Sequence, residues 1–376
     1  MKKQLTATLL GIALSLAFCA CSQKETKKSI VYSLKDIPTL EEPMLLSEIL
    51  GDGKVIRLDS NPKAFVDGGS RDISENYIAT KGAAELPVCL FDKKTGDFLN
   101  HIGNTGRGPG EYSISVYDVM INEEADRIFI NPFASTMLIG YNLKGKMLGV
   151  LDNNYFKLPE RRKARFIMDE NTITTFILPF QNDTIMGTTV ERKTGKLIKS
   201  YKNVVKTAPN FNQELITNRV GDTLIFSTTT QPSVFLFDNK TKEVKEIIKI
   251  TPTSEGNMLL ISPKLLKNGL TLFVCESNDR FELLSITSLL LDENYSNPKK
   301  IKLIDDYMFG VDAGLDHGTG DGETLAVRYS MFKLMAMLEE RINSGDLDPQ
   351  MKKEAEAFLA TLSENDNDII VYGNRK

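Results

Sequence analysis

The chain has 376 residues, of which 46 are basic and 50 are acidic, so its formal net charge is −4 at pH 7. Charges of both signs are interspersed and no basic face is evident, which argues against a nucleic-acid partner. Four cysteines are too few for a disulfide scaffold, and two of them lie close to the amino terminus. The other two, Cys89 and Cys275, stand in apolar runs and are interpreted as buried free thiols, with a single disulfide as the alternative.

The first residues have the features of a secretory signal. Lys2 and Lys3 precede an apolar run over 5–18, which is shorter than the roughly 20 residues that a membrane-spanning helix needs. Ala20 followed by Cys21 resembles the lipobox at which bacterial lipoproteins are cleaved and acylated. We therefore predict a signal peptide over 1–20 and a lipid on Cys21, which holds the mature chain to a membrane of the cell envelope. The expected position is the periplasmic or surface face of the outer membrane, and a plain signal peptide is the alternative.

The middle of the chain repeats one pattern with a period of about 50 residues, a length typical of propeller repeats. Each repeat holds an apolar strand-like run, a polar turn that opens with an acidic or amide residue, and a second apolar run. The residues that open these regularly spaced turns are Asp92, Asn142, Glu191, Asp238 and Asp292. Four strands of a propeller blade fill about 40 to 50 residues, so the period predicts an all-β β-propeller.

A sixth strand-like run, Ile369–Gly373, lies well over one period beyond the last of these turns. A helical hairpin predicted over 331–363 explains the longer interval, because apolar residues there recur at helical spacing and Asp348-Pro349 forms a helix start. The sequence therefore predicts one six-bladed β-propeller over 41–376, preceded over 21–40 by a linker that includes a possible blade-closing strand. The hairpin is expected to pack on the propeller; a lid or a partner-docking face is the alternative.

A glycine-rich stretch, Ile102–Tyr112, follows the first turn. It lacks the Gly-Lys-Ser/Thr ending of a phosphate-binding loop, and strand-like residues rather than a helix follow it. With Val55–Asp59 upstream and the turn Asp92–Gly96, this stretch resembles the six-bladed β-propeller lipoproteins of Bacteroidota, which are related to NHL-repeat and TolB-like propellers. The resemblance implies an envelope location and a stretch that connects one blade to the next. It implies no activity.

Two groups of residues are candidates for a site. Arg107, Glu111 and Tyr112 are the polar and aromatic members of the glycine-rich stretch and are predicted to contact a ligand. The second group is the sharpest acidic cluster of the chain and comprises Asp312, Asp316, Asp321 and Glu323. Its carboxylates are suited to Ca²⁺ or another divalent metal, although their spacing does not match an EF-hand loop.

The sequence assigns no catalytic residue. The two histidines, His101 and His317, have no nearby partner for a zinc pair, and no Gly-x-Ser-x-Gly motif is present. We therefore predict a non-catalytic propeller that binds a small molecule, a glycan or a peptide, or that docks on another outer-membrane protein. The alternative is a metal-dependent, lactonase-like hydrolase with its metal in the central channel.

Overall fold

The strand–turn–strand repeats fold into separate sheets, most of them built from consecutive antiparallel strands. The computed structural model describes residues 29–113, 115–133, 137–152, 163–209, 213–314, 319–320 and 324–376. Within these ranges, seven sheets form the blades of a β-propeller. The predicted all-β propeller fold is therefore confirmed, whereas the predicted number of six blades is wrong. The predicted signal peptide and Cys21 lie outside the described residues.

Five of the blades, numbered 1 to 5 in chain order, are four-stranded meanders. Blade 1 comprises β4 (Val66–Ile73), β5 (Tyr77–Gly82), β6 (Val88–Asp92) and β7 (Phe98–Ile102). Blade 2 comprises β10 (Val116–Asn122), β11 (Arg127–Pro132), β12 (Met137–Tyr141) and β13 (Met147–Asp152). Blade 3 comprises β14 (Ala164–Met168), β15 (Thr172–Ile177), β16 (Ile185–Glu191) and β17 (Leu197–Lys202). Blade 4 comprises β18 (Leu215–Val220), β19 (Thr223–Thr228), β20 (Gln231–Asp238) and β21 (Glu243–Thr251). Blade 5 comprises β22 (Met258–Leu266), β23 (Gly269–Ser277), β24 (Leu283–Leu291) and β25 (Lys299–Ile301).

The five predicted turns join the third and fourth strands of these five blades. In the first of them, the Asp92 carboxylate accepts hydrogen bonds from the backbone N–H groups of Lys94 and Thr95, at 2.8 and 2.9 Å. Gly96 ends the turn with φ +78°, and a Cβ there would lie 2.1 Å from the carbonyl oxygen of Arg57. The polar residue that opens the turn is needed to bind backbone N–H groups, and the glycine that ends it is needed for the positive φ and the close approach of the backbone.

Blades 6 and 7 each combine strands from both parts of the chain. Blade 6 is small and comprises β2 (Met44–Leu45), β26 (Leu303–Asp305) and β27 (Val311–Asp312). Blade 7 comprises β29 (Thr324–Tyr329), β30 (Ile369–Arg375) and β3 (Leu50–Arg57). The run predicted as the sixth blade is β30 of blade 7. The periodicity of the sequence does not reveal blade 6, because its two consecutive strands have only three and two residues.

The amino-terminal part of the described chain contacts four blades in succession. The strand β1 (Ile30–Ser33) adds to β21 of blade 4, in parallel. Thr39 then bridges to Lys300 in blade 5, and β2 joins blade 6. Finally β3 pairs with β30 and closes the ring beside blade 1. The ring-closing strand thus lies at 50–57, and the strand within the predicted 21–40 linker belongs to blade 4.

Apolar side chains are buried between neighbouring blades rather than in one central core. Between blades 3 and 4, for example, the ring of Phe176 packs against Phe226 and Phe237, with centroids 5.7 and 4.8 Å apart. Comparable clusters lie between the other neighbouring pairs. Burial of these faces, at about 25 cal/mol per Å² of apolar surface, stabilises the ring.

The predicted helical hairpin is present between β29 and β30, as α2 (Met331–Asn343) and α3 (Pro349–Leu359); a single short turn, α1 (Leu46–Ile49), precedes β3. Met331, Leu334 and Leu338 of α2 are buried in the cluster between blades 5, 6 and 7. The hairpin therefore packs on the propeller, as expected from its apolar stripe. Among the described residues, no helix combines the length and apolar character needed to cross a membrane.

Candidate functional site

Polar and aromatic side chains from three blades meet where the innermost strands of blades 2, 3 and 4 begin. Tyr117 lies near the start of β10 and Arg165 near the start of β14, while Glu214 directly precedes β18. Innermost strands line the central channel of a propeller, so these residues stand at one mouth of the channel. We call this group, together with Lys163 and Phe133, the mouth cluster.

Hydrogen bonds and ion pairs join the mouth cluster across blades. The hydroxyl of Tyr117 donates to Oε2 of Glu214 at 2.8 Å, which connects blade 2 to blade 4. Lys163 of blade 3 forms an ion pair with the other oxygen of Glu214 and also donates to the carbonyl of Gln213 at 3.0 Å. Arg165 donates to the carbonyl of Tyr117. The cluster is thereby held in one arrangement by groups that are distant in sequence.

The cationic groups of the mouth cluster lie against aromatic faces. The guanidinium carbon of Arg165 is 3.7 Å from the ring centroid of Tyr117, and Nζ of Lys163 is 5.5 Å from that of Phe133. The rings of Tyr117 and Phe133 meet edge to face at 5.8 Å. Tyr117 and Lys163 are buried, whereas Phe133 keeps 37% of its surface exposed. Phe133 thus presents an exposed aromatic surface beside the buried Lys163.

The electrostatics of the mouth cluster favour an anion. Its charged members are two cations, Lys163 and Arg165, and one carboxylate, Glu214, which leaves an excess positive charge. Burial raises the pKa of the Tyr117 hydroxyl; Arg165 opposes this effect, and the nearby Glu214 reinforces it. Tyr117 therefore stays neutral at physiological pH and acts as a hydrogen-bond donor rather than as a nucleophile or base.

A second charged group lies in the channel itself. Asp72 of β4 in blade 1 and Arg219 of β18 in blade 4 form an ion pair at 3.3 Å. The two-residue strand β28 (Thr319–Gly320) pairs in parallel with Asp72 and Ile73, and it also contacts β18. Because β4 and β18 belong to blades on opposite sides of the ring, both the ion pair and β28 lie in the channel. The acidic stretch predicted as a metal site therefore enters the channel at β28.

The glycine-rich stretch connects blade 1 to blade 2, as the resemblance implied. Within it, β8 (Asn104–Thr105) and β9 (Glu111–Tyr112) pair in parallel. The Tyr112 hydroxyl is buried; it accepts a hydrogen bond from the N–H of Val88 and donates one to the carbonyl of Ile102, both at 2.7 Å. The Glu111 carboxylate accepts from the N–H of Gly108 at 2.7 Å, and Arg107 is exposed. These contacts give Tyr112 and Glu111 structural partners, and the predicted role in ligand contact stays a prediction.

The structure describes one of the four predicted metal ligands. Asp312, at the end of β27, is exposed and pairs with Lys302 at 3.2 Å. The other three, Asp316, Asp321 and Glu323, lie outside the described residues. In the part of the chain that the structure describes, no group of three or more His, Cys, Asp or Glu side chains is placed to hold a metal ion.

The thiols of Cys89 and Cys275 are free and lie in blades 1 and 5, respectively. Burial raises the pKa of Cys89 to about 12 and also raises the pKa of Cys275. Both are therefore protonated at physiological pH, which makes them poor nucleophiles.

The spacing of the turns does not reveal the mouth cluster, although the sequence contains a signal for it. Tyr117, Arg165 and Glu214 follow one another at intervals of about one blade period. They occupy nearly the same position at the start of successive innermost strands. Comparing one register position across all repeats, instead of the turns alone, would have brought these three residues together.

A profile of the family described as "Domain of unknown function (DUF4934)" matches residues 30–374. No curated protein matches the sequence. Among solved structures, the fold is similar to that of a Bacteroides fragilis protein named as exported, with a TM-score of 0.62, 14% identity, and coverage of 93% of this chain and 100% of that one. A DUF4221 family member from Bacteroides vulgatus aligns with a TM-score of 0.45 and 11% identity, over 87% of this chain and 97% of that one. The first of these likenesses shows the propeller fold.

Proposed function

Because the chain belongs to the DUF4934 family and is a seven-bladed propeller, we propose that it is a non-catalytic binding protein of the bacterial cell envelope. Cys21 carries the lipid that holds it to the membrane. The amino-terminal charge pattern and the Ala20-Cys21 junction support export and acylation, and the similar Bacteroides fragilis protein is named as exported. The first strand of the described residues, β1, begins at Ile30, a few residues after Cys21.

The ligand we propose combines a flat apolar group with a carboxylate, as an acidic glycan or a peptide does. One observation carries this proposal: the partly exposed ring of Phe133 lies beside Lys163 at the channel mouth, next to Arg165 on Tyr117. An aromatic face receives the apolar group, and the excess positive charge of the cluster receives the carboxylate. Neutral Tyr117 and the fully paired Glu214 fit recognition rather than catalysis.

Fluorine NMR with 4-fluorophenylacetate tests the site with a probe of the proposed chemistry. The fluorine resonance of the carboxylate probe is expected to broaden in the presence of the chain from Ser22 onward. The resonance of neutral 4-fluorophenylacetamide is expected to broaden much less. Phe133→Ala and Arg165→Gln should each weaken the effect about tenfold, because each removes one of the two contacts. Equal responses to both probes, or an undiminished response in folded Phe133→Ala, would place the ligand elsewhere.

Incorporation of labelled palmitate in the bacterial host tests the anchor. Wild-type protein and Cys19→Ala should take up label and fractionate with membranes, whereas Cys21→Ala should do neither. Label on Cys21→Ala protein would contradict acylation at this residue. It would not affect the proposal that the mouth cluster binds a ligand, which the fluorine NMR experiment tests.

A further inference from the structure

Blade 5 exposes apolar side chains on a part of its sheet that a full-length blade 6 would cover. Leu260, Cys275 and Ile286 form one cross-strand row. In the next row, Met258 and Leu283 lie on either side of Ser277. All four of the aliphatic members are exposed, Leu283 to 60% and Ile286 to 56%. We call these two rows the open face.

The open face has a structural cause. Side chains alternate along a strand, so Leu260 and Leu266 point to the same side of the sheet, as do Ile286 and Leu290. Leu266 and Leu290 pack against the cluster shared with blades 6 and 7, whereas Leu260 and Ile286 do not. The first three strands of blade 5 run for nine residues each, while those of blade 6 run for two or three. The short neighbour therefore covers one end of the face and leaves the other end uncovered.

The same end of blade 5 has an unpaired strand edge. Among the described residues, β25 pairs with Ser288–Leu290 of β24 alone, so the outer edge of Leu283–Thr287 has no strand beside it. This segment reads Leu-Leu-Ser-Ile-Thr and contains no charged residue or proline. Folded proteins normally protect such an edge with charge, proline or a cover, because it pairs readily with another strand.

An aromatic residue marks the tip of this end. Phe281, in the turn between β23 and β24, is 78% exposed and adopts φ +63°. A bulky residue in the left-handed region is unusual. The tip, the open face and the free edge are continuous, since all three belong to the same ends of β23 and β24.

We propose that this surface of blade 5 binds a second copy of the chain through antiparallel pairing of the two β24 edges. Identical strands that pair antiparallel are related by a two-fold axis, so the contact closes at two copies and leaves neither edge free. The exposed fractions of Met258, Leu260, Phe281, Leu283 and Ile286 amount to roughly 500 Å² of apolar surface per copy. A standard interface buries about 800 Å² per partner, of which somewhat more than half is apolar. This inference does not depend on the lipid anchor or on the mouth cluster.

Light scattering coupled to size exclusion tests the proposal on the chain from Ser22 onward, which keeps every described residue. The wild type is expected at twice the mass of one chain, and Ile286→Lys at the mass of one chain with an unchanged circular dichroism spectrum. Val150→Lys is the matched control, because Val150 is 46% exposed on β13, the outer strand of blade 2. It should remain dimeric.

A cysteine near the two-fold axis gives a second readout. Ser285 is the middle residue of the free segment, so Ser285→Cys in a Cys275→Ser background should form a disulfide-linked dimer on mild oxidation. Ser200→Cys on β17 of blade 3 should not. A wild type that stays monomeric at high concentration, a dimer that survives Ile286→Lys, or a monomer that binds phosphatidylethanolamine–phosphatidylglycerol vesicles through Phe281 would each overturn the proposal.

Discussion

Replacing Tyr112 by phenylalanine decides whether the glycine-rich connection is a structural element. The Tyr112 hydroxyl lies between the N–H of Val88 and the carbonyl of Ile102, two residues that face each other on β6 and β7. Both are fully buried, so water cannot replace the lost hydroxyl. The substitution keeps the ring and its packing and removes two hydrogen bonds.

The expected loss of stability follows from these two bonds. An unsatisfied buried donor or acceptor costs about 1–3 kcal/mol, and closer approach of the two strands can recover part of this. Tyr112→Phe is therefore expected to lower the free energy of unfolding by about 2–4 kcal/mol. Tyr77→Phe is the matched control, because Tyr77 is partly exposed and its hydroxyl has no hydrogen-bond partner among the described residues; a change below about 0.5 kcal/mol is expected there.

Urea unfolding followed by circular dichroism measures both variants, and the 4-fluorophenylacetate experiment is repeated on each. A destabilised Tyr112→Phe protein that still binds the probe like the wild type assigns Tyr112 to the fold. A loss below about 0.5 kcal/mol would refute the reasoning from the buried hydroxyl. Loss of probe binding at unchanged stability would restore the predicted ligand role.

Two further substitutions test buried groups elsewhere. Burial raises the pKa of Asp305, whose carboxylate accepts a hydrogen bond from Tyr329 at 2.7 Å, to about 6. The folded state thus favours the protonated acid, so the wild type should lose about 2 kcal/mol of stability relative to Asp305→Asn as pH rises from 4 to 6.5. A difference between their free energies of unfolding that stays constant over that range would contradict this. Gly103→Ala should destabilise by about 2–4 kcal/mol, because Gly103 has φ +65° and a Cβ would lie 2.7 Å from the Tyr141 ring. Gly195→Ala, at φ +69° in open space, should lose only about 1 kcal/mol, and equal thermal shifts in the two variants would exclude the steric explanation.

The sequence predicted the parts of the fold that are encoded locally. The polar residues that open the turns, Asp92 and its four counterparts, indicated the positions of five blades. Such a residue is needed by the turn itself, as the hydrogen bonds of Asp92 to the turn backbone show, and does not depend on distant contacts. The helix start at Asp348-Pro349 was likewise predictable, and the Asp348 side chain accepts from the N–H groups of Gln350 and Met351.

The number of blades depended on contacts between distant parts of the chain. Blade 6 takes Met44–Leu45 from the amino-terminal part, and blade 7 takes Leu50–Arg57. Neither sheet therefore has a complete repeat of its own that the periodicity of the turns could detect. The helical hairpin was predicted to account for the whole long interval between the turn at Asp292 and the run Ile369–Gly373. That interval also contains two strands of the short blade 6.

The mouth cluster was missed for a related reason. Tyr117, Arg165 and Glu214 come into contact only when three blades stand side by side. None of them belongs to a recognisable motif. Tyr112 was predicted to contact a ligand because it stands in a polar, glycine-rich stretch, and that role stays a prediction. The sequence pattern did not show that its hydroxyl bonds to β6 and β7.

Native mass spectrometry of the protein purified from its own envelope tests the central proposal most directly. The wild type is expected to retain an anionic molecule of defined mass, whereas Phe133→Ala, folded and present in equal amount, is expected not to retain it. A wild-type protein without bound molecule, or the same bound mass in both proteins, would contradict a binding site at the mouth of the channel.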